Sequence, residues 1–322
     1  MGNYINPPVL YRDDGSERRV GFEIELSHLS VDQTVEIIQQ CYDAIIDPTS
    51  KVEKSIHTEF GEFKVEMDWQ FLKEKAKNNN DNKIDWLSPL VYFSSKIVPL
   101  EVVCPPIKIS ELSKLDKLVT KLRQHGATGT QESIIAAYGV HVNTELPRLD
   151  SNTILSYLKA FSILQWWLAK THKIDFSRKL TPYINLYPNE YTLTILKKDT
   201  CSIDELFDDY LKLNATRNRA LDLLPLLAHL NKNKVNESID DERIRPRPAF
   251  HYRMPNSNIN KENWNLSKPW NIWCIVEKLA NKPEHIDELS SKFLEQEVSM
   301  LNLNKAKWVN YIQNWLSKNE YI

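Results

Sequence analysis

Several short runs of this sequence place acids and histidines at every second position between apolar residues. Glu23 and Glu25 alternate with Val20, Phe22, Ile24 and Leu26, and Glu66 and Asp68 alternate with Val65, Met67 and Trp69. Glu101 sits between Leu100 and Val102, His141 and Asn143 alternate with Val140 and Val142, and His251 and Arg253 alternate with Phe250 and Tyr252. Successive side chains of a strand point to opposite faces, so each run would put its polar residues on one face. If the strands are neighbours, the carboxylates crowd together. Two like charges about 4 Å apart repel by roughly 4 kcal/mol at an effective dielectric of 20. A divalent cation between them relieves that repulsion, and carboxylates with one or two histidines suit Mg²⁺ or Mn²⁺. The plainer alternative is a sheet face turned to water. Such a face usually mixes lysine, threonine and serine with its acids, and here Lys64 is the only lysine near them.

The basic counterpart lies later in the chain. Arg217 and Arg219 fall in 216–231, a span that reads as a helix, and Arg243, Arg245 and Arg247 alternate in a polar stretch before Arg253. Guanidinium forks bind phosphate oxygens bidentately. The alternative for the 243–247 run is a solvated loop.

The elements that must position these residues follow from periodicity. Residues 20–26 read as a strand. Ser30 then opens a helix with a capping-box pattern to Gln33, carried by Val35, Ile38, Tyr42 and Ile45 and stopped at Asp47-Pro48. A strand pair follows over 55–59 and 63–71, then a polar, Asn-rich loop over 73–85 and a short strand over 97–104 before Pro105-Pro106. Leu112, Leu115, Leu118, Val119 and Leu122 mark an amphipathic helix. A strand over 137–144, helices at 152–170, 203–212 and 216–231, a polar loop over 232–243 and a strand over 248–254 come next. From Trp264 the chain reads as mostly helical. Short strands with one wet face, separated by helices, predict an α+β fold on an antiparallel sheet. A boundary is expected near 256–264, giving a catalytic unit at 1–258 and a helical extension at 259–322. The tryptophans of that extension (Trp264, Trp270, Trp273, Trp308 and Trp315) read as core packing, with a docking surface as the alternative.

Composition narrows the chemistry. The chain has 322 residues, with 41 Lys+Arg against 43 Asp+Glu. It lacks the basic excess of a non-specific nucleic-acid binder. Only 7 glycines occur, and no GxGxxG or GxxxxGK[ST] can be assembled from them, which excludes the Rossmann and P-loop fingerprints. The 4 cysteines are scattered without a CxxC, so neither a zinc ribbon nor a disulfide scaffold is indicated. Cys104 reads as a packing residue. No HExxH motif is present, which disfavours a metallohydrolase. No signal-peptide pattern or membrane-spanning run is seen, and a cytoplasmic location is expected.

Together, Val20-Gly21-Phe22-Glu23-Ile24-Glu25, Val65-Glu66-Met67-Asp68, Glu101-Val102-Val103-Cys104-Pro105-Pro106, Gly139-Val140-His141-Val142-Asn143, and Arg217-Asn218-Arg219-Ala220-Leu221 with Phe250-His251-Tyr252-Arg253 resemble, in this order, the amidoligase family. That family looks like the glutamine synthetase and glutamate–cysteine ligase superfamily of carboxylate–amine ligases. The resemblance covers about residues 18–257. It implies a curved antiparallel sheet of glutamine synthetase-like type whose concave face holds ATP and Mg²⁺ or Mn²⁺. It implies metal binding by Glu23, Glu25, Glu101 and His251, with His141 at the metal–phosphate site. Arg217, Arg219, Arg245 and Arg247 are expected near the nucleotide, and Glu66, Asp68 and Arg253 in catalysis. Substrates would be a carboxylate and an amine, on a small molecule, peptide or protein, with no nucleic acid and no membrane as partner. The chain departs from the family pattern at His251, where glutamate is frequent, at Asp222, where asparagine is usual, and at Asn143, where a second histidine is common. The other readings are a phosphotransferase on the same fold and a non-catalytic nucleotide-binding or interaction protein.

Overall fold

A computed structural model describes residues 2–46, 53–67, 100–130, 138–174, 184–299 and 304–322. The fold is α+β, built on one curved, open antiparallel sheet of nine strands with a helical C-terminal region. The strands are β1 (Arg19–Leu26), β2 (Ala44–Ile46), β3 (Glu53–Thr58), β4 (Gly61–Met67), β5 (Leu100–Val103), β6 (Ile107–Lys108), β7 (Val140–Glu145), β8 (Leu221–Asp222) and β9 (Ala249–Tyr252). Their order is β2-β3-β4-β5-β1-β7-β9-β8, with β6 also paired to β1. Gly61, at φ +123°, closes the β3–β4 hairpin in a conformation that other residues rarely adopt. Between β5 and β6, the Cys104 amide still donates to the Phe22 carbonyl at 2.7 Å. Pro105 and Pro106 then have no N–H to offer, and the ladder breaks.

The described helices are α1 (Val31–Cys41), α2 (Asp116–Gln124), α3 (Ser151–Thr171), α4 (Asn189–Leu196), α5 (Ile203–Asn214), α6 (Leu224–Leu230), α7 (Lys232–Ser238), α8 (Ser267–Ala280), α9 (Pro283–Ser299) and α10 (Lys305–Lys318). A 3₁₀ turn, Ile109–Leu115, leads into α2. The capping box of α1 forms as expected: Ser30 Oγ accepts from the Gln33 amide at 3.1 Å, and Gln33 Oε1 accepts from the Ser30 amide at 2.9 Å. None of the described helices is long and apolar enough to cross a membrane.

One face of the sheet is the core. Val20, Phe22, Ile24 and Leu26 are fully buried, as are Val65, Val102, Val140, Val142 and Tyr252. Aromatic side chains join the sheet to α3 and α8: Phe250 lies 5.2 Å from Tyr157, and Tyr252 lies 5.0 Å from Trp273, between ring centroids. Helix α3 is buried almost all round, which explains its weak amphipathicity; α4, α5, α8, α9 and α10 all pack on it. Trp264, Trp270, Trp273, Trp308 and Trp315 are buried, so the C-terminal tryptophans are core.

Three expected elements differ. Helix α1 ends at Cys41 because Tyr42 turns extended and stacks on Phe63 at 5.3 Å, and residues 44–46 join the sheet edge as β2. The helix expected over 216–231 is split. Leu221 and Asp222 pair with β9, and a helix starts only at Leu224, with Pro225 in its first turn. Residues 232–238 are helical rather than loop, capped by Asn231 Oδ1 on the Lys234 amide at 3.1 Å. Helix α4 has no counterpart in the sequence reading. The loop expected over 73–85 lies outside the described residues.

The C-terminal helices are tied to β1 by a buried ion pair. Arg18 and Glu277 are both 0% exposed. Arg18 Nη2 and Nη1 donate to the two Glu277 oxygens at 2.7 and 3.0 Å, and the guanidinium also donates to the Glu145 and Val9 carbonyls. Tyr157 Oη and Trp273 Nε1 donate to the same Glu277 carboxylate at 2.5 and 2.9 Å. Removing one member strands the other charge in the core, at a cost of about 3–5 kcal/mol. Glu277→Gln is therefore expected to lower the free energy of unfolding by that amount, read as a fall in the urea midpoint at unchanged m-value. The Arg18→Met, Glu277→Leu double variant should lose less than the single one.

Candidate active site

The face of the sheet opposite the core carries the polar residues in register. Glu66 pairs with Glu101, and Glu101 with Glu25, so three glutamates form a row across β4, β5 and β1. One step along β1, Glu23 pairs with His141. One step further, Asn143 pairs with His251, and His251 with Asp222. Directly opposed like charges destabilise a sheet, so this row needs compensation.

Donors converge on Glu23. Its Oε2 is 2.6 Å from His141 Nδ1, its Oε1 accepts from Asn143 Nδ2 at 2.9 Å, and Arg247 Nη2 lies 3.5 Å from Oε1. His141 is shared across the row: its Nε2 lies 3.5 Å from Glu25 and its Nδ1 3.6 Å from Glu101. Glu25 also accepts from the Gly139 amide. The His141 and His251 rings meet edge to face at 4.9 Å. His251 Nδ1 lies 2.6 Å from Asn143 Oδ1. A hydrogen on Nδ1 donating to that carbonyl leaves the Nε2 lone pair available.

Burial works against the Glu23 carboxylate, but the charge that His251 carries when protonated, the His141 hydrogen bond and Arg247 outweigh it and hold its pKa well below the ordinary range. Burial pushes His251 well below the usual imidazole value, against the pull of Glu23, so the ring is neutral. Burial raises Glu66, opposed by Arg245. It also raises Asp222, to about 6, although Arg253, the Leu224 amide and Arg217 oppose it.

The cavity above this face has a volume of about 500 Å³. Glu23, Glu66, Glu101, Asp222 and His251 line its floor, and Arg217, Arg243, Arg245 and Arg247 line it as well. Nine of the residues singled out in the sequence thus meet at one place: Glu23, Glu25, Glu66, Glu101, His141 and His251 on the sheet, and Arg217, Arg245 and Arg247 beside them. Arg219 is directed elsewhere. Its guanidinium donates to the Leu186 and Leu213 carbonyls, both at 3.1 Å, so it ties the last turn of α5 to the segment before α4. Arg253 follows β9, donates to the Arg217 carbonyl at 2.6 Å and is not among the described residues that line the cavity. Asp68 lies outside the described residues. Asn143, which the sequence places on the polar face but outside the expected ligand set, touches Glu23, Arg247 and His251. Its alternation with His141 was the signal for it. Cys104 is buried, and burial raises its thiol pKa, in keeping with a packing role.

Two groups, Glu23–His141–His251 and Glu25–Glu101–His141, each place their candidate ligand atoms within 4.8 Å of one another. An octahedral ion with bonds of about 2.1 Å spans about 4.2 Å between opposite ligands, so only small adjustments are required. Carboxylates with neutral imidazole fit Mg²⁺ or Mn²⁺.

The shifts predict a pH dependence of stability in the presence of chelator. His251 has a lowered folded pKa. Below about pH 6.5 the unfolded chain takes up its proton first, so stability falls as pH drops, by at most about 1.4 kcal/mol per pH unit. Asp222 has a raised folded pKa and acts in the opposite sense, its contribution being lost as pH rises from about 4 to about 6. Urea unfolding between pH 4 and 7.5 should show His251→Gln gaining on wild type as pH falls, and Asp222→Asn gaining as pH rises.

No curated protein and no solved structure matches this chain. The family model described as "putative amidoligase enzyme" matches residues 16–275. That span runs from just before β1 into α8 and contains every residue of the site. The chain therefore belongs to the amidoligase family.

Proposed function

We propose that this protein is an ATP- and divalent-metal-dependent carboxylate–amine ligase that works through an acyl phosphate. The observation that carries the reading is the pairing of two opposite chemistries around one cavity: an acidic, histidine-bearing sheet face beside Arg217, Arg243, Arg245 and Arg247. A nucleoside triphosphate with divalent ions needs both. Membership of the amidoligase family supports the same class of enzyme.

A carboxylate is a poor acyl donor because its leaving group would be oxide. Attack of a carboxylate oxygen on the γ-phosphorus of ATP forms the acyl–O–P bond and releases ADP. An amine then attacks the carbonyl carbon, loses a proton, and inorganic phosphate leaves. Of the two candidate groups, Glu25, Glu101 and His141 would hold Mg²⁺ or Mn²⁺, with Glu23 and His251 beside them, and the ion would supply charge neutralisation for the phosphate oxygens. Arg217, Arg243 and Arg245 bind and orient those oxygens from beside the sheet. Arg253 holds the Arg217 backbone through its carbonyl and so positions that side chain. Glu66, on the floor and next in register to Glu101, accepts the proton of the attacking amine. The described lining is polar apart from Met67, Val103 and Pro225, which form the apolar surface available to a base or an aliphatic chain.

A non-hydrolysable ATP analogue with Mg²⁺ at about 100 times its dissociation constant should stabilise the chain by about 2.7 kcal/mol, a rise of a few degrees in Tm. The rise should vanish in Glu25→Ala. With ATP, Mg²⁺ and a panel of carboxylates, hydroxylamine should trap a hydroxamate. ADP release that gives phosphate but no hydroxamate with any carboxylate would remove the ligase reading. A phosphoguanidine product instead would favour a phosphotransferase.

A further inference from the structure

The two candidate ligand groups are not equivalent, and Arg247 is the reason. Its Nη2 lies 2.8 Å from His251 Nδ1, 2.9 Å from Asn143 Oδ1 and 3.5 Å from Glu23 Oε1. Glu23 and His251 are two of the three members of one group. A guanidinium only donates and a metal ion only accepts lone pairs, so the two compete for the Glu23 carboxylate and for the space beside His251. Asn143 strengthens the arginine's hold. Its Oδ1 accepts from Arg247, while its Nδ2 donates to Glu23, on the same carboxylate oxygen that faces the guanidinium. The Arg247 amide is itself tied to the Pro225 carbonyl at 3.1 Å, which fixes where the side chain enters the cavity.

Charge separates the groups in the same way. Glu23 brings one negative charge, and its partners His141 and His251 are imidazoles. One guanidinium neutralises it, and a divalent ion placed beside that guanidinium would leave excess positive charge at a mostly buried site. Glu25 and Glu101 bring two negative charges, with His141 as third ligand. A divalent ion neutralises that pair.

We propose that Arg247 is a resident cation that takes the place of one divalent ion, so that the nucleotide-free chain binds a single Mn²⁺ or Mg²⁺, at Glu25, Glu101 and His141. This rests on the reading above only in requiring that the sheet face binds a divalent ion. Glu23 is then a positioning residue: it orients His141 through the 2.6 Å contact to Nδ1 and leaves Nε2 directed to the Glu25 side.

The test is a Mn²⁺ titration of the full chain without nucleotide, with free Mn²⁺ read by its electron paramagnetic resonance signal. One tight site is expected in wild type and in Arg247→Lys, and two in Arg247→Gln. Glu25→Gln should abolish the wild-type site, whereas the Arg247→Gln, Glu25→Gln double variant should keep one. Two ions in wild type, none in wild type, or one in a folded Arg247→Gln would each overturn the proposal. If Arg247→Gln does not fold, the wild-type stoichiometry and the Glu25→Gln result still decide it. Binding of one ion without hydroxamate formation would leave this assignment standing and remove the ligase reading. Ligase activity in a chain that binds two ions without nucleotide would do the reverse.

Discussion

Glu66, Glu101 and Glu25 stand side by side on three neighbouring strands, and their mutual repulsion is the constraint around which the cavity is arranged. Water alone would screen them if the face were fully wet. Here the glutamates are half-buried, and next to them Glu23 is only 12% exposed. Positive partners must therefore come from the chain or from a ligand. His141 stands between the two β1 glutamates, the Gly139 amide meets Glu25, Arg247 meets Glu23, and the field of Arg245 reaches Glu66. Such a site stores unfavourable charge in the folded chain and releases it when a cation binds, which gives the cation its affinity.

Holding that charge in place requires a rigid support, and the opposite face provides it. Alternation along β1 and β9 means that every polar residue on the cavity side is flanked by core residues: Glu23 by Phe22 and Ile24, His251 by Phe250 and Tyr252. The aromatic contacts of β9 with α3 and α8 fix the strand that carries His251. The Arg18–Glu277 pair joins the start of β1 to α8. The C-terminal helices are thus part of what holds the site, and the family match accordingly runs past Ser257 as far as residue 275.

Much of this was legible in the sequence because it depends on period two. The alternation of Glu23 and Glu25 with Val20, Phe22, Ile24 and Leu26 fixes which side chains share a face, and no tertiary information is required for that. The α+β class followed from the same pattern. What sequence could not supply was the register between strands, which alone puts Glu66, Glu101 and Glu25 in one row. Arg217 and Arg219 show the same limit. Both carry the same group in the same motif, yet one lines the cavity and the other binds the Leu186 and Leu213 carbonyls. Where 216–231 was expected to be one helix, local propensity was overridden by the pairing of Leu221 and Asp222 with β9.

The departures from the family pattern are connected to one another in space, although they are far apart in sequence. Asn143, His251 and Asp222 occupy adjacent positions of one cross-strand row. Glutamate at 251 would bring a second negative charge next to Glu23. With His251 that charge is gone, and the group as a whole needs only one positive charge. Arg247 supplies it, and Asn143 holds it there as an amide that both accepts from Arg247 and donates to Glu23, a dual capacity that a single imidazole tautomer divides between opposite edges of its ring. Asp222, the remaining member of the row, has its pKa raised to about 6 by burial, so near neutral pH it is still mostly a carboxylate, and Arg253 and Arg217 offset its charge. His251 and Asn143 therefore act together, towards a half-site with one fewer negative charge that is matched to a guanidinium, beside a half-site of two carboxylates.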